Sequence, residues 1–384
     1  MDRSERDHFV PHSMHIPYTP DGLGTYSAEA LCFYKTNAKA IPLVLEAIKS
    51  SLVKPGSVFT IVDFGAADGG TSMLLMYESV KAIREKYGEE MPITIIYEDQ
   101  PVNDYKSVFM RMQGFIPGPR SYLMDFQNVF VMACGTNFYS QCLPRNSVHF
   151  GFSATSVHWL REKPCDITGA LHHSMMTDPR EKEMFSKQGE KDWELFLMNR
   201  AEELAPGGYM LLVQDVFDED GKLFGHSNMS KISAYNVHKN ICSLWKEFVQ
   251  EGKITQDEFN HTTFVSYNRK LEEFKKPFND PNSPVRRKGL EWVSFEKHVI
   301  PCEHKERWMR DKGDPKEHAK RYVASIRIWT NATFIEGLSN SRSAEEKSNI
   351  VDDLYHRYES LVAKHPEDHE FYFLQAYIVL RKHI

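Results

Sequence analysis

The chain lacks an apolar run long enough to cross a bilayer, which needs about 20 consecutive residues. It also lacks any C-x-x-C pair. The six cysteines, Cys32, Cys134, Cys142, Cys165, Cys242 and Cys302, are scattered through 384 residues with no histidine at zinc-ligand spacing. That pattern excludes a disulfide framework and a zinc site, and reads as reduced thiols in a cytoplasmic protein. The stretch Met1-Asp2-Arg3-Ser4-Glu5-Arg6-Asp7-His8 is charged and has no apolar core, so a secretory leader is not expected there. Without a secretory route the sequons at Asn228, Asn260 and Asn331 carry no meaning.

A basic balance is missing too. The formal net charge is -6. The compact basic clusters, Arg286-Arg287-Lys288 and Lys305-Glu306-Arg307, are short and have acids close by. They read as solvated faces, so neither a nucleic-acid partner nor a membrane is expected. There are no internal repeats or low-complexity tracts.

What is present is alternation of strand and helix. Apolar positions at helical spacing run from about Ser27 to Leu52, with Pro42 expected to kink or split the helix. Val58-Phe59-Thr60-Ile61-Val62-Asp63-Phe64 has the β-rich, nearly continuous apolar character of a buried parallel strand. A helix over 71–87 should close at Gly88. Further strands are expected over 93–97, 129–133, 148–152 and 209–213, with a helix over 193–204 stopped by Pro206-Gly207-Gly208. The alternation through 56–216 predicts an α/β fold with a doubly wound parallel sheet.

Residues 217–320 break this rhythm and read as a helical cap. Helices return over about 321–334 and 344–363, and the segment 370–380 reads as a last strand. Four units are therefore expected: an N-terminal helical segment over the site (1–55), a ligand-binding core (56–216), a cap with the substrate pocket (217–320), and a C-terminal part completing the core (321–384).

The turn after the first strand, Gly65-Ala66-Ala67-Asp68-Gly69-Gly70, places backbone N–H groups at the carboxyl end of the sheet, where open α/β folds bind ligands. Ala67 holds the middle position of a G-x-G-x-x-G pattern. The second strand ends in Glu98-Asp99, a carboxylate placed for ribose hydroxyls. Such a carboxylate serves a nicotinamide dinucleotide and S-adenosylmethionine alike. Asp63 and Asp68 bracket the turn, which disfavours a pyrophosphate and suits a ligand carrying an ammonium and a sulfonium. Two capping acids in a tight turn would give the same residues.

The chain resembles the SABATH family of plant-type small-molecule methyltransferases. Asp63-Phe64-Gly65-Ala66-Ala67-Asp68-Gly69-Gly70-Thr71 stands at the family's Asp-Leu-Gly-Cys-Ser-Ser-Gly-Pro-Asn-Thr. Asp99-Gln100-Pro101-Val102-Asn103-Asp104-Tyr105 is similar to its Asp-Leu-Pro-x-Asn-Asp-Phe. Asn137-Phe138-Tyr139 stands at its Ser-Phe-Tyr. Ser153-Ala154-Thr155-Ser156-Val157-His158-Trp159-Leu160 resembles its Ser-Ser-x-Ser-Leu-His-Trp-Leu.

The resemblance implies a Rossmann-like sheet with a helical cap, S-adenosyl-L-methionine as cofactor, a small-molecule acceptor and a homodimer. It implies that Asp63 and Gly65 line the cofactor. Asp99 would bind the ribose with Gln100 beside the adenine. Asn137 and Phe138 would flank adenine and ribose, Ser153 would join this set, and Tyr26 would cover the methionine end. Phe33, Thr155, His158 and Trp159 would face the acceptor.

Three departures matter. Glu29 and Ala30 replace the family's Asn-Ser, and Phe33 replaces a glutamine that bonds the acceptor carboxylate. Asp257-Glu258-Phe259-Asn260 matches a run assigned to magnesium, but no partner asparagine stands near Leu171-His172-His173, so no metal is expected. His172 and His173 read as surface or core residues.

A carboxylate acceptor is ionised at neutral pH, with a pKa of about 4, and needs no general base. His158 and Trp159 are therefore expected to orient the acceptor by hydrogen bonds. A lipophilic carboxylic acid is the preferred acceptor. A nitrogen or phenol acceptor is the alternative, followed by a nicotinamide-dependent dehydrogenase and a cofactor-binding protein without catalysis.

Overall fold

A computed structural model describes residues 21–54, 56–217 and 237–384. Residues 1–20 and 218–236, which the sequence assigns to the N-terminal segment and the cap, lie outside the described residues, as does the sequon at Asn228.

Two helices, α1 (Thr25–Glu29) and α2 (Leu31–Ser50), replace the one expected. The break falls at Ala30, and Pro42 sits inside an unbroken α2. Ala40, Val44, Ala47 and Ile48 on α2 are buried against the core beneath the sheet. This packing outweighs the backbone bond that Pro42 cannot make.

Next come β1 (Phe59–Phe64), α3 (Met73–Tyr87), β2 (Ile93–Asp99), α4 (Tyr105–Met112), β3 (Val129–Gly135), β4 (Val148–Ala154), α5 (Pro179–Glu203) and β5 (Leu204–Asp215). Gly88 ends α3 at φ 85°. The long α5 starts well before Trp193, because Asp178 caps it by accepting from the N–H groups of Arg180 and Glu181. It ends at Glu203, and Pro206-Gly207-Gly208 belong to β5 rather than to a turn before it.

The remaining elements are α6 (Val237–Gln250), α7 (Gln256–His261), α8 (Leu271–Asn279), α9 (Pro284–Arg287), β6 (Leu290–Ile300), α10 (Glu303–Asp311), α11 (Pro315–Gly337), α12 (Ala344–Lys364) and β7 (Phe373–Lys382).

The seven strands form one sheet in the order β3-β2-β1-β4-β5-β7-β6. The first five are parallel, and β7 runs antiparallel between β5 and β6. Strand β6 corrects the sequence expectation, which placed 290–300 in a helical cap. It is an edge strand, mostly half-exposed, and its register slips between Trp292 and Ser294. That irregularity hides the two-residue period by which strands are read.

Successive residues of β1 point to opposite faces. Ile61 packs with α2 and α3, whereas Val62 and Phe64 pack with Trp193 and Phe196 of α5. A third core, around Trp245, Phe248, Phe334, Tyr355 and Tyr358, joins α6, α11 and α12. It includes Trp159, Phe371 and Phe373, which flank strand ends, so the helical cap closes over one end of the strands.

Candidate active site

At the carboxyl end of β1 the chain turns through Gly65 (φ 75°), Ala67 (φ 49°) and Gly69 (φ 70°). A side chain at Gly65 would put its Cβ 2.2 Å from Ser156 Oγ. The glycine is thus required by the Ser156 side chain behind it as well as by its backbone conformation. Ala67 accepts the left-handed conformation because both its polar groups are held. Its N–H donates to Asp99 Oδ2 (2.8 Å), and its carbonyl accepts from Asn103 Nδ2 (2.7 Å). The second oxygen of Asp99 accepts from the Gln100 N–H at 2.7 Å. The carboxylate at the end of β2 is therefore fixed against the first turn.

Asp68 departs from the sequence reading. It does not offer a free charge to a ligand. Its carboxylate is buried, pairs with Arg111 Nη2 at 3.0 Å, and accepts from the N–H and hydroxyl of Ser27. Gly70 leaves room for this cluster, since a Cβ there would meet Ser27 Oγ at 2.4 Å. Asp68 pins α1 onto the turn.

A small chamber opens beside the turn, lined in part by Tyr26, Phe33, Asn37, Asp63, Gly65 and Thr155. Asp63 is buried, accepts from Ser72 Oγ at 2.5 Å, and is pushed up to about 7 by burial, with the nearby Asp99 adding to the shift. Asn37 was not anticipated from sequence. Its Oδ1 is buried without a hydrogen-bond partner in the described structure. An orphaned acceptor beside a buried carboxylate is what an ammonium-bearing ligand would satisfy.

Five expected cofactor residues, Asp99, Gln100, Asn137, Phe138 and Ser153, are not on its wall. Phe138 lies near Gly65, with Cε1 4.0 Å from where a Gly65 Cβ would stand, and packs edge-on against Phe196. Asn137 closes its turn by accepting from the Tyr139 N–H at 2.9 Å. Gln100 Oε1 and Ser153 Oγ are buried without hydrogen-bond partners among the described residues, Ser153 inside β4.

A larger cavity, about 50 Å³ in volume, adjoins the first and shares Tyr26, Phe33 and Thr155 with it. Thr155 is β-branched yet sits at φ 51°, held by its N–H donating to Val213 O at 2.7 Å. A β-branched residue in this region is strained, and such strain concentrates at functional positions. Phe33, Trp159, Phe264, Trp329, Phe371 and Phe373 give the cavity an aromatic wall. No lysine or arginine among the described residues lines it.

Trp159 is fixed by its carbonyl, which accepts from the Tyr139 hydroxyl at 2.5 Å, and by its N–H, which donates to Ser156 O at 3.0 Å. The His158 and Trp159 rings lie 4.6 Å apart. His158 Nδ1 is 3.8 Å from Asp215 Oδ2 at the end of β5. Asp215 also accepts from Gln375 Nε2 at 2.6 Å, and burial pushes its carboxyl up to about 7. Asp215 escaped the sequence reading because nothing local distinguishes a carboxylate at a strand end 57 positions from its partner.

His172 is buried as a core residue, but it faces the cavity and stacks on His238 with ring centroids 3.9 Å apart. Burial holds both imidazoles neutral; His238 is pushed down to about 3. His173 turns to Asn268 Oδ1 at 3.0 Å. In the run Asp257-Glu258-Phe259-Asn260, Glu258 is committed to Arg342 Nε (2.5 Å), Ser339 N–H (2.9 Å) and Thr255 N–H (2.8 Å). No group of three or more His, Cys, Asp or Glu side chains among the described residues is arranged to hold a metal ion.

A sheet of this order, a glycine-bearing turn at its switch point and an adjoining acceptor cavity define an S-adenosylmethionine-dependent methyltransferase. The chain belongs to the SAM-dependent carboxyl methyltransferase family, whose model matches residues 20–383. It is 29% identical over 289 residues to the probable 7-methylxanthine methyltransferase 2 of Theobroma cacao, covering 68% of this chain and 73% of that protein. To the probable caffeine synthase 2 of Camellia sinensis it is 24% identical over 360 residues, covering 89% of this chain and 90% of that one. In fold it is similar to loganic acid methyltransferase with SAH, at a TM-score of 0.71 and 18% identity over 95% of this chain and 98% of that one.

Proposed function

We propose that the chain transfers the methyl group of S-adenosylmethionine to the carboxylate of a small, lipophilic acid, giving a methyl ester. The observation that carries this is the shared wall. Tyr26, Phe33 and Thr155 border both chambers, so a sulfonium methyl held in the first would face an acceptor in the second. One C–O bond forms, the C–S bond breaks, and its electron pair stays on sulfur. The donor is already activated, so the protein has to align the acceptor and exclude water, which supplies roughly 7–11 kcal/mol.

In this reading Asp63 takes the ammonium end of the cofactor, with Asn37 Oδ1 beside it. Gly65, Asp99, Gln100, Asn137, Phe138 and Ser153 surround its ribose and adenine, and Tyr26 covers the methionine end. Trp159 donates its indole N–H to an acceptor oxygen, His158 donates a second bond, and Phe33 and Thr155 shape the entry. The four sequence units carry over into this reading with two reassignments: 290–300 joins the sheet, and α11 and α12 pack with α6 in the cap, leaving β7 to complete the core. We also read the chain as a cytoplasmic homodimer. All six cysteines are free thiols, which fits a reducing compartment, and light scattering on the purified protein reads the oligomer.

A nitrogen acceptor is the second reading. Phe33 stands where a carboxylate-binding glutamine would, and the cavity has no arginine or lysine among its described lining residues. Relatives named for methylxanthine methylation point the same way. A turnover screen with labelled S-adenosylmethionine over acids of graded chain length, xanthines, amines and phenols separates the two. Esterification of apolar acids supports the first reading. Turnover of nitrogen or phenol acceptors with none on any acid overturns it.

A further inference from the structure

The segment 136–143, which carries Asn137 and Phe138 between β3 and β4, has no strand or helix of its own. Its backbone polar groups therefore need partners from elsewhere, and α5 supplies them. Asn199 Nδ2 donates to Tyr139 O at 2.8 Å. Arg200 donates from Nη1 to Phe138 O at 2.7 Å and from Nη2 to Ser140 O at 3.0 Å. Glu203 Oε1 accepts from the N–H groups of Cys142 (2.6 Å) and Leu143 (3.2 Å). Arg200 and Glu203 are both buried and are themselves joined, Nε to Oε2 and Nη2 to Oε1, each at 2.8 Å. The guanidinium lies over the Phe64 ring at 4.3 Å and the Phe196 ring at 5.0 Å, and Phe196 also backs the Phe138 ring. A buried ion pair adds little net stability, because desolvation offsets its attraction. What its planar fork specifies is geometry.

We infer that Arg200 is a positioning residue for the adenosine end of the cofactor, acting through Asn137 and Phe138 without touching the ligand. This rests on the proposed placement of those two residues beside the adenine and ribose. The two terminal nitrogens of the guanidinium stand a fixed distance apart, so they hold the carbonyls of Phe138 and Ser140 at one spacing across Tyr139. A turn held in this way keeps Phe138 near Gly65, where the first turn and this segment face each other. A lysine would keep the charge, but one ammonium nitrogen cannot span both carbonyls and Glu203 in that planar pattern. A segment ordered before the cofactor arrives loses little freedom on binding, which favours affinity. Glu203 neutralises Arg200, so the pair adds no net charge beneath an uncharged base. The displacement at sulfur uses none of these contacts, and their loss should register in cofactor binding rather than in the chemical step.

Arg200→Lys tests this in the full-length enzyme, with Phe138→Ala beside it. Calorimetric titration with S-adenosylhomocysteine should give a Kd raised about tenfold or more in Arg200→Lys, with the binding stoichiometry unchanged. With an acceptor that the parent methylates, the KM for S-adenosylmethionine should rise by a similar factor, while kcat changes by less than about threefold. The double variant should bind no more than about threefold more weakly than the weaker single one, because both changes act through one contact. If Arg200→Lys does not fold, Asn199→Ala, which releases only the Tyr139 carbonyl, should still raise the Kd about threefold or more. A folded Arg200→Lys with an unmoved Kd, even at lowered stoichiometry or kcat, overturns the inference, as do fully additive losses in the double variant or, where only Asn199→Ala folds, its unmoved Kd. A parent-like Kd in Phe138→Ala instead overturns the placement of the adenine on which the inference rests.

Discussion

The rings of Tyr26 and Phe33 stack with centroids 6.4 Å apart and planes within 5° of parallel. Tyr26 comes from α1, and Phe33 from the first turn of α2, where its ring also meets Phe373 of β7 with centroids 5.2 Å apart. The short α1, the 20-residue α2 and the last strand are thereby joined at the wall that the two chambers share. The break at Ala30 makes this possible, because a continuous helix would not set residues seven apart in this parallel stack over a shared wall.

Phe33 is therefore the position at which acceptor preference should be most easily changed. Phe33→Gln gives the cavity an amide donor and removes an aromatic face. Ratios of kcat/KM should shift by about tenfold or more toward small aromatic acids and away from long apolar ones. Equal ratios in parent and variant across an acid panel would show that Phe33 does not read the acceptor.

Asp63 should make cofactor binding depend on pH. Folded, it holds its proton up to about 7, whereas an unfolded chain releases it near 4. Folded protein binds more protons between those values, so this group lowers stability as pH rises through that window. Asp63→Asn should melt at a higher temperature than the parent at pH 8, with the gap closing toward pH 5. Cofactor affinity should rise with pH in the parent, as the carboxylate ionises to meet the ammonium, and stay flat in the variant. Calorimetric titration from pH 5.5 to 8.5 reads this.

Arg111→Met should leave the buried Asp68 carboxylate without its cation. Breaking such a pair costs about 3–5 kcal/mol, measurable by urea unfolding. Because Ser27 and the Gly24 carbonyl bond the same cluster, α1 should loosen and cofactor affinity should fall too. Combining it with Asp68→Asn should recover part of the stability.

Gly65→Ala should destabilise the protein through two separable terms, the contact with Ser156 Oγ and the φ of 75°. In a Ser156→Gly background only the second remains, about 1–2 kcal/mol. An undiminished loss in that background would place the whole cost in the backbone.

What could be read from sequence was what lies close together along the chain. The turn after β1, the acid ending β2 and the His158-Trp159 pair each occupy a few consecutive residues, so both type and spacing are visible. Asn37 in the first chamber, and Asp215, His172 and His238 in the second, come from separate parts of the chain and reach their places only on folding. Each alone is an ordinary buried polar residue. Asp68 was misread for a related reason. Its charge is cancelled by Arg111, 43 positions away, and sequence shows a charge without its partner. Strand β6 was missed because a half-solvated edge with a register slip has no clean period.

The antiparallel course of β7 has a consequence for the order in which the protein matures. Because β7 runs against its neighbours, its first residues, not its last, meet the cavity. Phe371 and Phe373 complete the aromatic wall, and Gln375 holds Asp215. During synthesis the cofactor-binding strands leave the ribosome long before these residues do. A nascent chain can build the first chamber early, but the second closes only once 371–382 have emerged and threaded between β5 and β6. The described wall of the first chamber is thus wholly synthesised by residue 155, whereas that of the second waits for Phe371 and Phe373.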